Sequence, residues 1–187
     1  GFLSFLIAFD KYLNISGASD NNPILTMHAY RLLYYFDKRN AKTVFKFADK
    51  AIEMKVEPDK AHFAKAGIYK DSREYEKALK EYIAAIALNP KKPDYYARAA
   101  FVYGKIGDIS RELAYLKKAA ELETEYPLFS FRLGKILMDK YGDIPQALPY
   151  LKKAFEMEGD NVSYAYDYGF ALSQISRCDD AMRIADI

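Results

Sequence analysis

Residues Gly107–Ala119, GDISRELAYLKKA, return 35 positions later as Gly142–Ala154, GDIPQALPYLKKA. Self-similarity at such a period marks an array of supersecondary units, none of which can bury its apolar face alone. Working outward, Ala51, Ala85 and Ala119 recur at steps of 34, as do Tyr35, Tyr69 and Tyr103. One extra residue near Asp139–Gly142 turns the step of 34 into 35. The register divides the chain into windows 25–58, 59–92, 93–126, 127–161 and an incomplete 162–187, with residues 1–24 ahead of them.

Each window reads as two helices. Tyr75, Ala78, Leu79, Tyr82, Ala85, Ile86 and Leu88 fall at helical spacing, and Phe63, Ala66, Gly67 and Tyr69 mark the helix before them. Gly107-Asp108 and Gly142-Asp143 supply a glycine to close one helix and an aspartate to cap the next. Asp71–Glu74 and Ser176–Asp179 read as capping boxes. Pro58, Pro90, Pro93 and Pro127 stand at window borders, and Pro149 predicts a late start or a bend in its helix. No stretch alternates with period two for long enough to be a strand. Small residues recur where paired helices must approach: Ala66, Ala100, Gly134 and Gly169 at the eighth place, Ala78, Ala147 and Ala181 at the twentieth. Glu112 takes the place of alanine in that last series and predicts a looser contact.

Composition narrows the function. An apolar share of 51 % in 187 residues supplies a core and excludes intrinsic disorder. Lys and Arg number 28 against 26 Asp and Glu, so the net charge of +2 gives little attraction for nucleic acid or an anionic membrane. The apolar run Phe2–Phe9 is too short to span a bilayer. A single cysteine, Cys178, rules out an intrachain disulfide and a thiolate zinc site, and it reads as a small packing residue. His28 and His62 stand 34 apart with no third ligand predictable, which favours packing over metal binding. Gly134-Lys135 lacks the flanking residues of a phosphate loop, and no nucleophile elbow is present. Lys117-Lys118 and Lys152-Lys153 lie among glutamates and read as a solvated, charge-balanced face. Neither an enzyme nor a cofactor is indicated.

The pattern resembles the tetratricopeptide repeat. Ala66-Gly67, Tyr69, Tyr75, Ala78, Tyr82, Ala85 and Pro90 fall where that family keeps small, aromatic and proline residues. The resemblance covers residues 25–187 and is weakest in the first window, where Leu32 and Val44 replace small residues. It implies an all-α solenoid of about five helix pairs, a right-handed superhelix whose first helices line a concave face. Residues 2–13 then read as the second helix of an incomplete repeat, followed by a loop over 14–22.

Projected residue by residue, the concave face holds Tyr30 and Leu33; Phe63, Ala64 and Gly67; Ala97, Arg98 and Phe101; Phe131, Arg132 and Lys135; Tyr166, Asp167 and Phe170. Phe63, Arg98, Phe101, Phe131, Arg132, Lys135, Tyr166 and Phe170 are the candidate partner-binding residues, since aromatic and arginine side chains dominate binding hot spots. Arg98, Arg132 and Lys135 form a basic cluster that favours an acidic peptide with apolar anchors. The Lys, Asn and Arg clamp by which some relatives hold chaperone tails is absent, with Phe63, Gly67 and Leu128 at its places beside Arg98 and Arg132. The function expected is a non-catalytic scaffold that binds a partner peptide or helix. The alternatives are a spacer or self-assembling segment of a longer array, associating through open ends, and an RNA-binding helical repeat.

Overall fold

Proline can open a helix because its missing N–H has no intrahelical partner there in any case. Pro58 and Pro93 do so, and Pro127 stands one residue ahead of a third helix. The computed structural model describes residues 41–123 and 127–185, with Pro23, Met27, His28 and Lys38 ahead of them. Its helices are α1 (Ala41–Glu53), α2 (Pro58–Asp71), α3 (Tyr75–Leu88), α4 (Pro93–Ile106), α5 (Ile109–Leu122), α6 (Leu128–Lys135), α7 (Ile144–Met157), α8 (Val162–Gln174) and α9 (Cys178–Ala185). Among the described residues all regular structure is helical. The second helices α1, α3, α5, α7 and α9 start at Ala41, Tyr75, Ile109, Ile144 and Cys178, at steps of 34, 34, 35 and 34. The chain forms two compact units, 1–90 and 91–187. The expected helix over 2–13, the loop over 14–22, Tyr30, Leu32, Leu33 and Ile187 lie outside the described residues.

The extra residue of the fourth window is absorbed inside a helix. α6 runs on into a π-helical turn, Ile136–Lys140, and Asp143 caps α7 in the same way that Asp108 caps α5. Asp108 accepts from the Arg111 N–H and Asp143 from the Gln146 N–H, both at 3.0 Å. A π-turn is how an α-helix accommodates one residue more than its period allows.

The two expected capping boxes do not form. Ser72 ends α2 and Glu74 precedes α3 without a side-chain cap bond, its carboxylate turning to Lys77 at 2.5 Å. The loops are too short for a serine cap, because the residue between the helices must turn left-handed to let them double back. Arg73 (φ 61°), Gly107 (φ 83°), Gly142 (φ 67°) and Ser176 (φ 63°) share this duty. In each, the next N–H reaches back to the preceding helix: Glu74 to Tyr69, Asp108 to Tyr103, Asp143 to Leu137 and Arg177 to Leu172. Glycine takes positive φ at no steric cost, whereas arginine and serine do not.

In the first unit Met27, Val44, Phe47, Ala48, Ala51, Ala61, Ala64 and Ile68 form one core. In the second, Ala97 and Ala100 of α4 share a core with Leu116 and Ala119 of α5, Phe129 and Leu133 of α6, Leu151 of α7 and Tyr168 and Leu172 of α8. The small residues allow the approach: a Cβ on Gly134 would lie 2.7 Å from Leu151 Cγ and Cδ2. Burying a leucine such as Leu151, which is 0 % exposed, contributes about 1.5–3 kcal/mol. Pro149 lies within α7, which nevertheless starts in register at Ile144, so the late start does not occur.

Glu112 is not a loose contact. Its side chain is buried and fits because α4 carries Gly104, where a Cβ would stand 2.6 Å from Glu112 Cδ. The carboxylate accepts from Lys140 Nζ at 2.6 Å and from Tyr141 Oη at 2.7 Å, residues at the far end of the π-turn. A pair of charges thus ties the third window to the fourth at a place where the second, fourth and fifth windows hold alanine.

Candidate functional site

The first helices α4, α6 and α8 of the second unit repeat their places with the period of the chain. Arg98, Arg132 and Asp167 occupy the sixth place of their windows, and Phe101, Lys135 and Phe170 the ninth. Direct contacts join α6 to α8. The Phe131 and Tyr164 rings lie 4.4 Å apart, and Lys135 Nζ lies 3.1 Å from Asp167 Oδ2. The ninth place of one window therefore meets the sixth place of the next.

Arg98 and Arg132 are exposed, and neither has an ion pair among the described residues. Phe101 is 49 % exposed, with Lys105 Nζ 5.2 Å from its ring centre, a cation–π arrangement that keeps the ring at the surface. Lys105 also lacks an ion pair among the described residues. Arg98, Lys105 and Arg132, the last within electrostatic reach of Glu123, contrast with the lysines of the second helices. Lys118 pairs with Glu121, Lys152 with Glu156, and Lys153 donates to the Ala120 carbonyl. Lys117 is the exception. The doubled lysines of α5 and α7 thus sit on a largely balanced face.

Lys135 departs from the expected basic cluster. It is held by Asp167 and by Asp139 at 3.2 Å, and its ammonium also lies 6.0 Å from the Phe131 ring centre. Partial burial pulls its pKa down, but the bonds to Asp167 and Asp139 outweigh this and hold it above the ordinary lysine value. Asp167, projected onto the concave face but left out of the candidate binding residues, is buried at 7 % exposure, and its hold on Lys135 is what sequence reasoning missed. The legible signal was a change of sign at a place that holds arginine in the two preceding windows.

Beyond Asp167 the surface turns apolar. Tyr166 (70 % exposed) and Phe170 (43 %) lie near-parallel, 6.5 Å apart and tilted 12°. They border a cavity of about 530 Å³ along α8, which Val162, Gly169, Ala181 and Ile184 help to line. Phe63 belongs to the first unit, half-buried with its ring edge against Tyr82 at 5.6 Å. Ala64 and Ala97, projected onto the binding face, are buried in the cores.

Two further expectations resolve here. Cys178 is exposed at the start of α9, not buried as the expected packing residue. His62 bonds through Nδ1 to Glu81 Oε2 at 2.6 Å, and Glu81 also pairs with Lys65 at 3.2 Å. Among the described residues no group of three or more His, Cys, Asp or Glu could hold a metal ion, and no helix is long and apolar enough to cross a membrane.

Glu123 lies where α5 hands over to α6. Its buried carboxylate accepts from the Phe129 N–H at 2.8 Å and the Ser130 N–H at 3.1 Å, capping α6 from the preceding helix. Burial pushes its pKa up, against the pull of those two donors.

Residues 67–107 match the family model for the TPR repeat. No curated protein matches the chain by sequence. Among solved structures, the fold is similar to that of YrrB, a TPR protein with an unusual peptide-binding site, at 20 % identity over 91 % of this chain and 88 % of that one, TM-score 0.64. It is similar to MamA at 14 % identity over 89 % and 90 %, TM-score 0.66. It is also similar to PilF of Pseudomonas aeruginosa at 20 % identity over 88 % and 76 %, TM-score 0.64. The likeness is one of fold.

Proposed function

We propose that the chain, which matches the TPR-repeat model over residues 67–107 and shares its fold with TPR proteins, is a protein-interaction scaffold, and that the first helices of its second unit bind an acidic partner segment with apolar anchors. One observation carries this reading: Arg98, Lys105 and Arg132 stand on α4 and α6 without ion pairs among the described residues, and Lys105 lies over the exposed ring of Phe101. Exposed arginines present planar donors suited to carboxylates. The peptide-binding site that gives YrrB its description supports the same use of the fold.

The test is fluorescence anisotropy with a pooled set of labelled nonapeptides rich in Glu and Asp, each carrying one Phe or Leu. Arg98→Glu with Arg132→Glu weakens binding at least tenfold, while helicity and Tm stay near wild type, because both side chains are exposed. Unchanged binding in that variant, or none in the wild type, refutes the reading. A second reading, self-association, is favoured by the apolar stripe of Val162 (81 % exposed), Tyr166 (70 %) and Met182 (60 %). It requires a sedimentation mass that rises with concentration and falls back in Tyr166→Lys.

A further inference from the structure

In the second unit α6 packs on α5 and α8 packs on α7. Each incoming helix of this kind also has a first helix before it, and α8 touches α6 through side chains at two places. Phe131, fifth in its window, meets the ring of Tyr164, and Lys135, ninth in its window, meets Asp167. Tyr166 and Phe170 hold the same fifth and ninth places on α8. Among the described residues no helix follows α9, and these two rings border the cavity of about 530 Å³. The cavity therefore stands to α8 and α9 as α8 stands to α6 and α7.

Its shape suits a helix. Val162 and Ser173 both line it, and a helix covers the eleven steps between them in about 16 Å, or three turns. Ala165, Gly169 and Ala181 keep its floor low enough for another backbone to approach. What fits is read from what α8 itself offers to the helices before it: Tyr164, Asp167, Tyr168, Ala171 and Leu172, spaced k, k+3, k+4, k+7 and k+8. At the place of Asp167 the occupant would meet Phe170 instead of a lysine, so an apolar side chain replaces the carboxylate. Both observed contacts run in ascending order on both helices, so the occupant lies parallel to α8.

The rim adds a charge. Asp160 is exposed where the cavity begins, Asp179 is exposed at the start of α9, and neither has an ion pair among the described residues. Arg177 and Arg183 are both engaged by Asp180. A second copy of this face would bring the same acids and no uncommitted cation, which favours a different molecule carrying a basic group.

Independently of the acidic-partner reading, we propose that the groove between α8 and α9 receives an amphipathic helix of a partner protein. That helix carries large apolar side chains at k, k+3, k+4 and k+8, a small one at k+7, and a Lys or Arg ahead of k to meet Asp160. Recognition of this kind lays an apolar helix face into an apolar groove.

The experiment measures fluorescence anisotropy of the full chain with the labelled peptide KKAFQALLQAALQA, whose Phe is k. In one control, EEAFQALLQAALQA, the charge is reversed; in the other, KKAFQALLPAALQA, a proline breaks the helix and leaves the anchors in place. The first peptide binds at least tenfold tighter than the proline peptide and, at low ionic strength, at least threefold tighter than the acidic one. Tyr166→Ala with Phe170→Ala weakens it at least tenfold with helicity unchanged, since both rings are exposed. Asp160→Lys abolishes the charge preference, and Arg98→Glu with Arg132→Glu leaves binding untouched, which separates this site from the acidic-partner surface. Failure of the first peptide to bind, or binding that survives loss of both rings, overturns the site. Equal binding of the acidic peptide overturns the basic chemistry, and equal binding of the proline peptide overturns the helix. If the chain sediments as a dimer that Tyr166→Lys dissolves and the peptide does not, a second copy fills the groove and the proposal falls.

Discussion

Gly104→Ala tests how tightly the buried Glu112 is held. In an open helix interior this substitution stabilises by about 1 kcal/mol, because glycine is the poorer helix former. Here the new methyl would overlap Glu112 Oε1 and lie 2.6 Å from its Cδ, against an ordinary contact of 3.4 Å or more. The carboxylate must therefore retreat by about 1 Å, and bonds of 2.6 Å to Lys140 and 2.7 Å to Tyr141 stretch past any useful length. Losing two hydrogen bonds to a buried charge costs about 1.5–3 kcal/mol each, so the net loss after the helix gain is about 2–5 kcal/mol. At about 2–4 °C per kcal/mol for a chain of this size, Tm falls by roughly 4–20 °C. The assay is urea and thermal unfolding by circular dichroism in a double-mutant cycle with Glu112→Ala. Glu112→Ala restores the residue found at that place in neighbouring windows and vacates the space. In its background Gly104→Ala becomes neutral or stabilising, a coupling of at least about 1.5 kcal/mol. A Gly104→Ala protein as stable as wild type, or one whose loss is the same with and without Glu112, refutes this packing.

Gly134→Ala destabilises by about 1–2 kcal/mol through its clash with Leu151, whereas Gly169→Ala, with its nearest neighbour 3.7 Å away on Ile184, is neutral or gains up to about 1 kcal/mol; equal Tm shifts for the two contradict this. Arg73→Gly relieves a positive φ worth about 1–2 kcal/mol at an entropic cost of about 0.5–1 kcal/mol, so the midpoint urea concentration rises; a fall refutes the argument. Glu123 carries a raised pKa in the folded state, so its contribution to stability is less favourable after ionisation and declines as pH rises from about 4.5 through the folded value. The stability of Glu123→Gln relative to wild type therefore improves between pH 4.5 and pH 7.5; a difference that stays constant across that range refutes it.

The architecture was legible because a repeat states each rule several times. Ala78, Ala85, Ala119, Ala147 and Ala154 are all 0 % exposed, as a close helix contact requires. What escaped were departures made good by a second residue elsewhere in the chain. Glu112 read as a defect because its compensation, Gly104, lies on the facing helix, and its bonds go to Lys140 and Tyr141 of the next window. The capping boxes failed for a local reason: a small polar residue three places ahead of an acid also fits a loop whose connecting residue must turn left-handed, and Arg73 and Ser176 give no glycine to announce it. In the candidate site, aromatic and arginine positions followed from the register, but the partners of a lysine do not. Lys135 could reach Asp139 along its own helix or Asp167 across to α8, and it does both.

The π-turn at Ile136–Lys140 acts as an expansion joint. Slack taken up inside a helix leaves the connecting bends uniform, so no phase error passes to the hairpins downstream. At the turn's far end Lys140 and Tyr141 latch the carboxylate in the neighbouring hairpin. A single-codon change in length thereby yields a fastening that no point substitution in an evenly spaced array could supply.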